Sequence, residues 1–183
     1  MKPLQSIRHQ LEALREEAVR LSASEFPYEH GREAVERIVA MCSHNLWMLS
    51  HLPDDVAGDE ATLQIVAEAA RYATDAVPCL GFILRSTNVR NAFEVHGPLL
   101  RLSRKLLADK NLKLILSSEW FASPVNLLSP QVLSNDYILI GQPATESSNP
   151  FVIPLAGHEL GHSVWAIKGL GKEFKSLIQG GSD

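Results

Sequence analysis

Two cysteines in 183 residues are too few for a disulfide framework. Cys42 and Cys79 both stand in apolar, helical surroundings, which suits reduced core thiols better than a bridge. No apolar run reaches the roughly 18 residues of a membrane span. The opening Met1-Lys2-Pro3-Leu4-Gln5-Ser6-Ile7-Arg8 lacks the hydrophobic region of a secretory signal. Positive charge is not in excess: a net charge of −4 gives no general attraction to nucleic acid or to an anionic membrane. Internal repeats and low-complexity tracts are missing too. What remains is an ordinary globular composition, 45% hydrophobic and 21% charged, long enough for one domain or one plus a small subdomain. A cytoplasmic protein is the expectation.

The first half reads as helices. Over residues 3–23, Leu4, Ile7, Leu11, Leu14, Ala18 and Leu21 recur at three- and four-residue spacing. Phe26-Pro27-Tyr28 breaks that stripe. A second helix is expected over 29–52, ending before Pro53, with Ala34, Ile38, Met41, Leu46, Met48 and Leu49. A third is expected over 59–76, capped by Asp59 or Gly58, with Leu63, Val66, Ala67, Ala70 and Ala73 on one side. Pro78 and Gly81 then interrupt the apolar stretch from Cys79 to Leu84. The second half changes character. An amphipathic helix over 92–109, bent at Gly97-Pro98, precedes two strand-like segments, 112–117 and 136–141, separated by a Ser/Pro/Asn-rich loop at 119–134. A last helix should start between Pro150 and Pro154 and run to about Lys168, with a short one to follow from Lys172 to Gln179. The fold class expected is α+β and mostly helical, with a helical subdomain at 1–88 followed, over 89–183, by a small sheet packed on the helix that starts between Pro150 and Pro154.

That helix carries the chemistry. Pro154-Leu155-Ala156-Gly157-His158-Glu159-Leu160-Gly161-His162-Ser163-Val164-Trp165 contains H-E-x-x-H. Two histidines four apart lie on one helical face, close enough for both imidazoles to reach one Zn²⁺ at about 2.0–2.1 Å. Glu159 is placed to reach a water beside the metal, as a general base must be. Chance is a poor explanation: with 7 His in the chain, the pattern is expected roughly 0.02 times in a sequence of this composition. Gly161 leaves room beside the metal.

The string His158-Glu159-Leu160-Gly161-His162 resembles the HExxH zincin metallopeptidases. Metzincins continue to a glycine and a third histidine, where this chain has Trp165 and Lys168, so the likeness is to the gluzincins, whose third ligand is a carboxylate on a later helix. The resemblance implies a zinc-dependent peptidase acting on peptide or protein substrates, over residues 89–183. It also implies a sheet edge strand, 136–141 or 112–118, that pairs with extended substrate through backbone hydrogen bonds. Only Glu173 and Asp183 are acidic downstream of the motif. Glu173 is the candidate third ligand, if the turn Gly169-Leu170-Gly171 folds its helix back; the bland reading is a solvated carboxylate beside Lys172 and Lys175. Asp183 at the terminus is too mobile to hold a metal well. The chain therefore reads as an N-terminal portion of a longer protein, its third ligand lying further on.

Other residues invite sharper and blander readings. His44 and His51 share a helical face near Cys42 and Trp47, but a helix–helix contact suits them better than a second metal. His96 reads as a surface or capping group, and Glu119 as a carboxylate able to hold one zinc histidine from behind. Residues 85–113 carry a local excess of five positive charges, from Arg85, Arg90, Arg101, Arg104, Lys105, Lys110 and Lys113 against Glu94 and Asp109. Without interleaved aromatics that is a solvated helical face, not a nucleic-acid surface. The competing class is a non-catalytic helical interaction module whose zincin site is incomplete or degenerate.

Overall fold

The computed structural model describes residues 3–52, 59–87, 93–119, 125–127, 130–143, 149 and 151–180. They form a mostly helical α+β protein with seven helices and one three-stranded sheet. The chain divides into two compact units, Met1–Thr87 with Ser129–Ser134, and Asn88–Leu128 with Asn135–Asp183. The single cut at residue 88 expected from composition is thus joined by a second excursion, which brings residues 129–134 to the first unit.

In the first unit α1 (Pro3–Ser22), α2 (Glu29–Ser50) and α3 (Glu60–Ser86) pack on one another, and the short α5 (Pro130–Leu133) rests on α2 and α3. Leu4, Leu11, Leu14, Ala18 and Leu21 are buried, the stripe that three- and four-residue spacing requires. The Arg8 guanidinium donates to the Leu49 carbonyl, satisfying a last-turn acceptor of α2 with a cation. Asp59 caps α3, accepting from Thr62 N at 3.2 Å and from Thr62 Oγ1 at 2.6 Å; those bonds lower its pKa.

Helix α3 departs from expectation. It runs unbroken through Pro78 and Gly81, and its buried face is Ala69, Tyr72, Ala73, Ala76, Cys79, Phe82 and Ile83, whereas Leu63 is exposed. A helix ended at residue 76 leaves Cys79, Phe82 and Ile83 out of its stripe; in the longer helix Tyr72 and Phe82 decide the face by the area they bury. Pro78 points outward and lacks the N–H that would reach Thr74 O. Pro78→Ala should restore that bond and raise unfolding stability by about 1–3 kcal/mol. An unchanged or lower thermal midpoint would mean that packing requires the local distortion.

The same core makes the first unit sensitive to alkali. Burial pushes the Cys42 thiol from 9.0 to about 11, partly offset by Arg15. Burial also raises the Tyr72 phenol, with smaller contributions from the Cys42 and Cys79 thiolates. Both groups hold their protons longer folded than unfolded. The Cys42 stabilisation is therefore complete below pH 9 and lost as pH rises from there through about 11, while that of Tyr72 is complete below pH 10 and lost at higher pH. The thermal midpoint should fall across that window, and fall less in Cys42→Ala. A flat midpoint in the parent would contradict the burial argument.

The second unit holds the sheet. Strands β1 (Lys113–Glu119), β2 (Val125–Leu127) and β3 (Tyr137–Pro143) lie in the order β1-β3-β2. β1 runs parallel to β3 with Leu114 opposite Ile138 and Leu116 opposite Ile140; β2 runs antiparallel with Val125 opposite Gly141. β3 is buried along its whole length, as a central strand covered on both faces should be. Leu114, Leu116, Ile138 and Ile140 pack against Val95 and Leu99 of α4 (Phe93–Leu107) and Ala156 and Leu160 of α6 (Val152–Lys168). Each such fully buried Leu or Ile contributes about 1.5–3 kcal/mol over an exposed one.

The two sheet edges are treated differently. Lys113 N donates to Asp136 O on the β3 side at 2.7 Å, so the neighbouring Leu112 and Leu114 carbonyls face outward. α4 takes both: His96 Nε2 lies 3.1 Å from Leu114 O and Arg104 Nε 3.0 Å from Leu112 O. Side chains thus blunt the β1 edge. Among the described residues no strand covers the outer side of β2, on which α6 packs. Finally, α6 ends at Gly169, whose left-handed conformation (φ 65°, ψ 26°) closes the cap and starts α7 (Leu170–Gly180) without a linker.

Candidate metal centre

Helix α6 exists because Ala156, Leu160 and Ser163 bury one face of it against the sheet and α4. Its opposite face turns His158 and His162 to solvent, with Glu159 half-buried beside them. The two imidazoles stand edge to face, centroids 4.9 Å apart and planes at 88°. The ligand atoms of His158, Glu159 and His162 all lie within 4.8 Å of one another. Two imidazoles exposed on one helix face suit a borderline-soft divalent ion such as Zn²⁺, and the half-buried Glu159 carboxylate stands beside them. Space is available as well: a Cβ added at Gly157 or Gly161 would meet nothing within 4 Å.

Glu173 is exposed on the first turn of α7, and its carboxylate is not among those gathered with His158 and His162. Asp183 lies outside the described residues. Of the two strands considered for a substrate edge, residues 136–141 belong to the central strand, which has no free edge. The other edge is β2, inside the loop where no strand was expected. Three residues without alternation carry no periodic signal, so only tertiary pairing reveals it.

The remaining candidates take structural places. Glu119 is buried and accepts from Ser117 Oγ at 2.7 Å. By strand alternation those two share the sheet face opposite Leu114 and Leu116, hence opposite α6; Glu119 does not stand behind a zinc histidine. His96 is buried and bonded to β1, neither a surface group nor a cap. His44 and His51 are exposed and not held in a helix–helix contact: Trp47, also exposed, sits between them, 6.3 Å and 4.5 Å from their rings and about one turn from each. In the basic segment, Arg104 is spent on Leu112 O, and Lys113 lies 4.9 Å over the Tyr137 ring and 4.0 Å from Asp136.

One donor group escaped notice in the sequence. Glu29, His30 and Glu33 open α2 with ligand atoms within 4.8 Å. The readable signal was Glu29 and Glu33 at i and i+4 beside a histidine. Glu29, in the first turn, also complements the helix dipole, which explains that acid without a metal. No family model, characterised protein or solved structure matches this chain.

Proposed function

We propose that the protein is a zinc-dependent hydrolase of peptide bonds, with His158 and His162 as zinc ligands and Glu159 as general base. The observation that carries this reading is the convergence of those three side chains on the solvent face of α6. Zinc, when bound there, supplies Lewis-acid polarisation of a carbonyl and eases ionisation of water. Glu159 takes the proton from the attacking water and returns it to the leaving amine, a transfer its position one residue from His158 allows. The side of β2 on which no described strand lies, on a strand that α6 packs against, offers backbone donors and acceptors to an extended peptide. The third protein ligand is a residue outside those described, or Glu173.

A cytoplasmic location and peptide or protein substrates belong to the same proposal; among the described residues no helix is long and apolar enough to cross a membrane. One observation favours a second reading. Glu173 stands apart from the histidine pair, so a helical interaction module with an incomplete site fits the same face. Exchange of Glu159 for Gln separates the two, because only an enzyme has hydrolysis to lose.

A further inference from the structure

The exposed side of α6 carries more than histidine. Phe151, Leu155, His158, His162 and Trp165 follow one another at intervals of four, three, four and three residues, which sets all five on one strip about 80° wide. Both ends of the strip are apolar and bare: Phe151 is 81% exposed, Leu155 55% and Trp165 46%. Beyond Trp165 the chain turns at Gly169, and α7 lays the Phe174 ring against the indole, centroids 5.3 Å and planes 25° apart. Phe174 is itself 51% exposed. A Cβ at Gly171 would come within 3.2 Å of the indole Nε1, so the first turn of α7 holds the indole closely from below.

An aromatic pair left half in water is costly unless something covers it. What covers it is constrained by what stands beside it. Trp165 follows His162 by three residues, about 4.5 Å along the helix axis, and an extended peptide advances about 3.3 Å per residue. A peptide that runs along α6 with a carbonyl at the histidine pair therefore brings a side chain one or two residues away over the Trp165–Phe174 rings. Such rings take a large apolar group by burial and by offset or edge-to-face stacking.

We propose that Trp165 and Phe174 form a specificity subsite that selects peptides bearing a large apolar side chain within two residues of the bond cut. The proposal rests on the zinc-hydrolase reading, and its test keeps the two apart. Zinc-loaded Glu159→Gln protein, which binds without cutting, is titrated into two fluorescently labelled decapeptides identical but for Phe or Gly at one central position. Anisotropy should give roughly tenfold tighter binding of the Phe peptide. That preference should vanish in Trp165→Ala, shrink in Phe174→Ala and survive in Trp165→Phe, with zinc content unchanged in all three. Equal affinities for the two peptides, or a preference untouched by Trp165→Ala, would overturn the subsite while retained zinc left the metal reading standing. Loss of zinc with the Phe preference intact would do the reverse. A concentration-dependent dimer in sedimentation that Trp165→Ala abolishes would show that a second copy covers the face, and would also overturn the subsite.

Discussion

Protein incubated with zinc at neutral pH and then desalted should carry about one equivalent per chain, and His162→Ala should lose nearly all of it. Removing even a group that merely supports a ligand costs about 10–100-fold in metal affinity; removing the ligand itself costs more. The substitution is clean because His162 is exposed on the face of α6 away from the core. Exposed positions of that kind change fold stability by only about 0.5 kcal/mol, so an unaltered thermal midpoint of the metal-free protein distinguishes a lost site from a lost fold. His158→Ala should behave alike, since neither histidine holds the ion well alone. Glu173→Ala extends the measurement: zinc lost there makes α7 the source of the third ligand, and zinc retained excludes it. Equal zinc in the parent and in both histidine variants would defeat the assignment of the pair as ligands.

Periodicity made the helices legible wherever one face is clearly greasier than the other. In α1 the leucines specify both the helix and its buried side. In α3 the same logic placed a helix and chose the wrong face, because a stripe ended at residue 76 leaves out Cys79, Phe82 and Ile83, which with Tyr72 form the buried side. Pro78 was read as a break; an exposed proline whose helix is anchored on both sides by buried residues costs less than the packing returns. The long strands were readable from apolar runs, but which of them is central was not, since order in a sheet is a property of pairing across the chain. His96 illustrates the same gap. Nothing local to His96-Gly97-Pro98 says that a carbonyl 18 residues on needs a donor. The grouping of His158, Glu159 and His162 was the most legible part of all, because residues one and four apart on one helix need only its pitch to come together.

The Glu159→Gln exchange carries the largest expected effect on chemistry. Glutamine keeps the length and hydrogen-bonding capacity of the side chain and removes only the ability to accept a proton. The histidines are untouched, so zinc content should match the parent. Peptide hydrolysis should fall by about 10²- to 10⁴-fold, the usual contribution of a positioned general base, and the loss should appear in kcat with little change in KM, because the base acts in the transition state and not in substrate binding. A control with Leu155→Ala, on the same strip but bearing no acid or base, should retain kcat within a few-fold. Undiminished hydrolysis in the Gln variant would mean that the activity belongs to another protein or that another group moves the proton. Zinc bound in full, with no hydrolysis of any peptide by the parent, would instead favour the interaction module, leaving α6 a metal-holding surface without a reaction to perform.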